Sequence, residues 1–474
     1  MTKPLWTSQA AAMATGGTLT GAPWNASGVS IDTRTLQPGD LFVAIEGLER
    51  DGHEFIAAAE KAGAAAVLVS RSEDAGGPCL VVEDTLEAMN ALGRQARART
   101  SARVAAVTGS VGKTGTKEAL RKALAPSGKV HASELSYNNL WGVPLSLARM
   151  PEDTDYAVFE IGMNHAGEIT PLTRMVAPDV AIITTVASVH LEFFRNETEI
   201  AEAKAEIFDG LKPGGTAIIN RDIVHFDLLK ARAQAAGASR VIGFGQSEEA
   251  ETRLTNVELH ETCTCVAASI AGTQATYGIG AAGMHWALNS LAVLSAVEAL
   301  GADLAKGAMA MREVVPPAGR GERQKIELAA GGSFLLVDES YNANPASMRA
   351  ALSTLGASNP EGQGRRIAIL GDMGELGSTG SDLHVALACD VEATNLGQLF
   401  CCGDLMAGLW DKLNGAISGK HTQTAAALVD PVIAAVRDGD IVTVKGSNFM
   451  KMSAIVSALV ELGHRPSHTV AKGA

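Results

Sequence analysis

The chain has 474 residues, 46% of them apolar, and a formal net charge of −13. That length corresponds to about three domains of roughly 100–200 residues each. The acidic balance argues against sequence-independent nucleic-acid binding, which needs Lys and Arg to neutralise phosphates, but it is compatible with a local basic cleft for a small anionic substrate. Six cysteines, at Cys79, Cys263, Cys265, Cys389, Cys401 and Cys402, form no pair of CxxC motifs. They read as reduced structural thiols of a cytoplasmic protein, not as a zinc ribbon or a disulfide framework. The N-terminus lacks a basic patch followed by an apolar run, and no apolar stretch reaches 18 residues, so neither a signal peptide nor a membrane-spanning helix is expected.

In chain order, the first hundred residues carry the strand-like runs DLFVAIEG (40–47) and AAVLVS (65–70), with a helical EFIAAAEKAG between them. The Arg-rich GRQARARTSAR, ending at Arg103, reads as an exposed helix end and a linker, giving a first domain at 1–100. A second segment opens with RVAAVTG, an apolar strand running into a glycine turn, and continues with the helical KEALRKALA. Apolar strands follow at 156–162, 180–186, 216–220 and 240–245, alternating with helical runs such as ETEIAEAKAEIFDGL and closing with a long apolar helix from His285. This alternation predicts a largely parallel sheet covered on both faces. REVVPPAGRGERQ (312–324) reads as a linker, since adjacent prolines oppose regular structure, and places the second domain at 101–316. The third, 317–474, carries the strands FLLVDES, RIAILGD, QLFCCGD and DIVTVKG. The fold class is therefore α/β in three domains. Ligands gather outside the carboxyl ends of strands in open α/β sheets, so the chemistry is sought in the turns that follow them.

The strongest local signal is TGSVGKTGTKE (108–118), between a strand and a helix. Gly109 and Gly112 let backbone amides turn toward phosphate oxygens, Lys113 can reach terminal phosphates, and the Thr114 hydroxyl suits magnesium. The spacing is GxxGK[ST], shorter than the general GxxxxGK[ST] loop. The plain alternative is a glycine turn before a helix.

Four further segments accompany this loop: YNNLWGVP (137–144), FEIGMNHAGEI (159–169), VDESYNANPASM (337–348) and ILGDMGELG (369–377). With GSVGKT they resemble the Mur ligase family over essentially the whole chain, and SYNANP resembles the branch that adds D-alanyl-D-alanine. VSIDTRTLQPGDLFVAIEGLERDGHEF (29–55) resembles the UDP-muramoyl-binding domain of the same group. The resemblance implies an N-terminal α/β UDP-sugar-binding domain, a central phosphate-loop ATPase domain with a mostly parallel sheet, and a C-terminal Rossmann-like α/β domain that binds the dipeptide and closes over both. It implies ATP-dependent joining of a UDP-N-acetylmuramoyl-tripeptide to D-alanyl-D-alanine through an acyl phosphate, with ATP and two Mg2+ ions, in a cytoplasmic monomer without nucleic-acid partners or membrane insertion.

The same resemblance assigns residues. Thr108, Gly109, Ser110, Val111, Gly112, Lys113, Thr114 and Gly115 hold the nucleotide, with Asn220, His285, Asn289, Arg320 and Asp338 around it. Thr114, Glu160, His190 and Lys204 serve the metals, Lys204 as a carbamate. By pattern alone Glu160 is a strand-end acid, His190 a structural histidine and Lys204, flanked by Glu202 and Glu206, a solvated lysine. Lys113, Glu160, His190, Lys204, Arg320 and Asp338 form the catalytic set. Ser30, Asp32, Arg34, Asp51, Gly52, His53, Asn138 and Asn139 are expected at the UDP-sugar peptide, and Tyr341, Asn342, Asn344 and Pro345 at the dipeptide. Lys445, Gly446 and Ser447 match a family turn that reads equally as a surface loop. Two rivals remain open: a family member adding one amino acid at an earlier step, and a nucleotide-gated binding protein without ligase activity.

Overall fold

The computed structural model describes residues 3–47, 50–72, 75–134, 136–189, 191–329, 331–413 and 415–463, and three large sheets follow one another along it. The first has five strands in the spatial order Thr18–Thr20, Cys79–Val81, Ala66–Val69, Asp40–Val43 and Gly28–Ser30, parallel except for the first pair. Asp40–Val43 and Ala66–Val69 are buried at every position, which is why they read as unbroken apolar runs. Helix Thr85–Ala98 follows, its first amides capped by Asp84.

The Arg-rich stretch corrects the sequence reading. It is exposed only in part, at Arg94 and Arg103 among its arginines, and it is not a loose tether. Arg97 is 9% exposed and donates to Val176 O at 2.7 Å and Ala177 O at 3.0 Å. Arg99 stacks 4.2 Å over Trp6 and donates to Leu5 O and Met150 O, while Arg103 donates to Leu300 O. The Arg97 and Arg99 guanidinium groups satisfy carbonyls left over at helix and loop ends and fasten the N-terminal part to the central one, while the Arg103 bond to Leu300 O lies within the central part.

The central sheet has nine strands, in the order Val130–Ala132, Tyr156–Glu160, Arg103–Thr108, Val180–Ile183, Thr216–Asn220, Arg240–Gly245, Thr252–Leu259, Thr264–Ile270 and Thr273–Ile279. All neighbours are parallel except the last two pairs. The antiparallel extension at 252–279 is an addition to the predicted strands. Arg103–Thr108 lies where the strand order reverses, between Tyr156–Glu160 and Val180–Ile183, so a crevice opens at its carboxyl end. Helices Lys113–Leu124 and Met284–Ala299 cover one face, contributing Leu120, Leu124, Leu291 and Leu294 to a fully buried cluster.

The third sheet runs Glu322–Glu327, Ser333–Glu339, Ile441–Lys445, Arg366–Gly371, Gln398–Cys402 and Gly419–Thr422, parallel apart from its first pair. Ser333–Glu339, Ile441–Lys445 and Arg366–Gly371 lie side by side, so the turns after them cluster at one edge. No helix among the described residues is long and apolar enough to cross a membrane.

Candidate active site between the central and C-terminal sheets

The loop after Arg103–Thr108 is held by its neighbour strand. Ser110 N donates to Thr185 O at 2.9 Å, and Thr184 Oγ1 donates to Val111 O at 2.6 Å. Gly109 has φ 151°, and a Cβ there would lie 1.9 Å from Thr184 Oγ1, so only glycine fits. Helix Lys113–Leu124 starts after Gly112 without a side-chain cap, leaving its first amides for an anion. Lys113 Nζ donates to Gly109 O at 2.7 Å and folds over the loop. Burial lowers its pKa, and the Glu160 charge opposes that shift.

Glu160 closes the strand beside the loop, its residue paired with Val107. It is 1% exposed, and its two oxygens have different partners: Thr114 Oγ1 donates to Oε2 at 2.8 Å, and Asn138 Nδ2 to Oε1 at 2.7 Å. This is a hard, all-oxygen donor set beside a phosphate loop, which suits Mg2+. Among the described residues no group of three or more His, Cys, Asp or Glu could hold a metal. Lys204, on helix Glu197–Ala205, is 2% exposed, so the solvated reading given by its flanking glutamates is wrong. Burial pushes its pKa well below the usual lysine value, and the nearby Lys113 charge pushes the same way. His190 lies outside the described residues.

A cavity of about 980 Å³ faces this loop. Residues 110–113, Gly115, Asn138, Glu160, Asn220, His285 and Asn289 form its central wall. The opposite wall comes from the C-terminal strand ends: Arg320, Glu339, Tyr341, Asn342, Asn344, Lys445 and Ser447. Arg320 crosses the gap, stacking 4.0 Å over Tyr341 and donating to Ser136 Oγ at 3.2 Å. Ser447 joins three turns, donating from Oγ to Ala343 O at 3.2 Å and accepting from Gly374 N at 2.8 Å. Lys445 Nζ, 2% exposed as a residue, bonds Glu339 Oε2 at 3.1 Å and Asn342 O at 3.0 Å. The 445–447 turn is thus part of the cavity wall.

The arrangement has close counterparts. Residues 107–297 match the Mur ligase middle domain, 322–448 the Mur ligase glutamate ligase domain and 25–105 the Mur ligase family catalytic domain. A UDP-N-acetylmuramoyl-tripeptide--D-alanyl-D-alanine ligase of Escherichia coli (strain K12) is 34% identical over 458 residues, covering 94% of this chain and 96% of its own. The chain belongs to the Mur ligase family. The crystal structure of MurF from Acinetobacter baumannii superimposes with a TM-score of 0.82 at 28% identity, over 96% of this chain and 99% of that one. MurF ligase from Thermotoga maritima, in complex with ADP, gives 0.75 at 25% identity, over 92% and 98%.

Not every expected residue of this Mur ligase faces the cavity. Asp338 is 8% exposed, accepts from Ser340 N at 2.9 Å and lies off the wall; its strand neighbour Glu339 points in instead. Pro345 is buried at the first position of helix Pro345–Ala357, and Asn344 uses its side chain to cap that helix at Ser347 N. Asn220 reaches the wall, but its amide is committed to Thr184 O at 3.0 Å and Asp222 N at 2.9 Å. Thr108 is fully buried behind the loop. Glu339 could have been found from the period of two along FLLVDE, which sets it opposite Asp338.

A second cleft, about 720 Å³, opens between the N-terminal and central sheets and includes Glu46, Ser70, Asp84, Asn139 and Trp141. Gly162 and Asn164 line both it and the larger cavity, so the two adjoin. Of the expected sugar-peptide residues only Asn139 lines the cleft, its Oδ1 accepting Gly142 N at 2.9 Å; Asn138 lies on the other side. Ser30, Asp32, Arg34, Asp51, Gly52 and His53 are not among the residues that line it. Asp32 pairs with Arg34 at 2.6 Å, and Ser30 Oγ donates to Asp32 O. Asp51 bonds His53 Nδ1 at 2.6 Å and Arg71 at 2.7 Å, and His53 Nε2 accepts from Ser70 N at 3.0 Å, which positions a cleft residue. Gly52 permits this, since a Cβ there would lie 2.6 Å from Ile45 N.

Proposed function

We propose that this chain uses ATP to join D-alanyl-D-alanine to UDP-N-acetylmuramoyl-tripeptide, giving ADP, phosphate and UDP-N-acetylmuramoyl-pentapeptide, a step of peptidoglycan precursor synthesis. The observation that carries it is one cavity with a phosphate loop and Glu160, bonded to the buried Thr114 hydroxyl behind it, on one wall and a cluster of C-terminal strand ends on the other. The name borne by relatives at 34% identity over nearly the full length supports the substrates.

In this reading the N-terminal part, residues 1–100, and the adjoining cleft take the UDP-muramoyl end, and the peptide runs past Gly162 and Asn164 into the cavity of the 101–316 domain. The loop amides and Lys113 hold the ATP phosphates, and His285 and Asn289 stand where the nucleoside would lie. Thr114 and Glu160 would hold Mg2+, with His190 and Lys204 toward a second ion; the metal supplies neutralisation of phosphate charge. Lys204 suits carbamoylation because its burial favours the neutral amine that reacts with carbon dioxide.

The tripeptide carboxylate attacks the γ-phosphorus of ATP, and ADP leaves. The dipeptide amine then attacks the acyl carbon, loses its proton, and phosphate departs with the bridging oxygen. Arg320 faces the transferring phosphoryl group across the domain gap, where its fork can bind equatorial oxygens. Tyr341, Asn342 and Asn344 shape the dipeptide side, and Asp338 steadies their turn through Ser340 N. Closing the 317–474 domain on this cavity excludes water from the acyl phosphate.

The test is phosphate release from ATP with Mg2+, tripeptide precursor and dipeptide, each omitted in turn, with mass analysis of the product. Release that needs both acceptors and yields the pentapeptide supports the reading. Product from UDP-muramoyl-dipeptide and a single amino acid moves the step earlier in the family, and ATP binding without release favours a binding protein.

A further inference from the structure

The cations lining the cavity are Lys113, Arg320, Lys445 and Lys451. Three are engaged: Lys113 on Gly109 O, Arg320 on Tyr341 and Ser136, and Lys445 on Glu339 and Asn342. Among the described residues no side-chain bond holds the Lys451 ammonium, and its side chain is exposed to the cavity mouth.

The backbone places Lys451 at some cost. It has φ 54°, the left-handed region, which a non-glycine residue occupies at an expense of about 1–3 kcal/mol. The turn is over-determined: Lys451 N donates to Asn448 O at 3.0 Å, Ala454 N donates to Lys451 O at 3.1 Å, and the next residue, Met452, is fully buried against Cys402. Glycine would meet this geometry without strain. Of the described non-glycine residues with positive φ, both Lys451 and Glu375 line this cavity.

On the ligase reading above, the incoming dipeptide brings an amine, which reacts, and a carboxylate, which survives unchanged into product. That carboxylate needs a cation on the C-terminal wall that no neighbour neutralises. Lys445 is ion-paired with Glu339, and Lys113 stands on the opposite wall over the phosphate loop. We propose that Lys451 receives the terminal carboxylate of the incoming dipeptide and makes the enzyme select a free C-terminal acid over a neutral end.

The experiment compares D-alanyl-D-alanine with its C-terminal amide on the full-length enzyme, as wild type, Lys451→Met and Lys451→Arg. Wild type is expected to favour the acid in kcat/KM by about 10- to 100-fold, the worth of one charge-assisted hydrogen bond. Lys451→Met should lose that preference through a raised KM for the dipeptide, with KM for ATP unchanged, and Lys451→Arg should keep most of it. A wild-type acid-to-amide ratio in Lys451→Met overturns the proposal, as does a shift confined to the KM for ATP or for the tripeptide. If the wild type couples neither dipeptide, the ligase reading itself falls, a result distinct from a coupled but unselective enzyme.

Discussion

The Thr114 hydroxyl donates to Glu160 Oε2 across 2.8 Å, linking the first turn of the phosphate-loop helix to the end of the neighbouring strand. Asn138 takes the other carboxylate oxygen, so Glu160 is oriented from two sides before any ion arrives. Glu160→Gln keeps the shape and can keep both hydrogen bonds while removing the charge. The half-saturating Mg2+ concentration should rise roughly tenfold, the scale on which partners of metal sites act, with little change in melting temperature. Titration of activity against Mg2+ checks this; an unchanged dependence removes Glu160 from the metal site.

Lys113→Ala should leave the fold intact, since among the described residues the ammonium bonds only the loop carbonyl Gly109 O. The rate of phosphate release should fall by about 100-fold or more, as when one preorganised donor is lost from a transition state. Near-wild-type turnover would contradict the phosphate-loop assignment.

Arg320 makes its contacts through a flat guanidinium, over Tyr341 and toward Ser136. Lysine keeps the charge but cannot stack or fork. Arg320→Lys should therefore lower kcat by about tenfold or more while changing stability by less than about 1 kcal/mol, because the site is a domain gap and not a core. Full activity in this variant would show that charge alone suffices there.

The fold was legible where burial is two-sided. RVAAVT, VAII and TAIIN are continuous apolar runs because parallel strands under helices are covered on both faces. The 252–279 strands were missed because TRLTNVEL and TQATYGI are short on apolar residues, although TCVAASI between them alternates buried and partly buried positions along its length. Arg97 and Lys204 misled for one reason: a charged side chain in a helical run reads as solvated, and only tertiary packing reveals the carbonyls around Arg97 or the core around Lys204. At the site, the phosphate loop follows from local sequence, whereas the pairing of Glu160 with Thr114, 46 positions apart, and the inward turn of Glu339 depend on sheet register.

Acid should weaken the N-terminal domain through Asp51. Arg71 and then His53 hold its carboxyl well below the usual carboxylate range. With a folded pKa depressed below the unfolded value of about 3.9, its stabilisation is complete above that value and is lost as pH falls through and below it. Asp51→Asn should be less stable than wild type near neutrality, and the gap should narrow below about pH 4. Denaturant unfolding at several pH values, followed by Trp fluorescence, measures it; a gap that stays constant with pH would contradict the assignment.

The most direct test of the central claim is to label both oxygens of the tripeptide C-terminal carboxylate with oxygen-18 and follow the label through one turnover. Activation as an acyl phosphate requires one labelled oxygen in the released phosphate and one retained in the new peptide carbonyl. Phosphate free of label, with pentapeptide still formed, would contradict it.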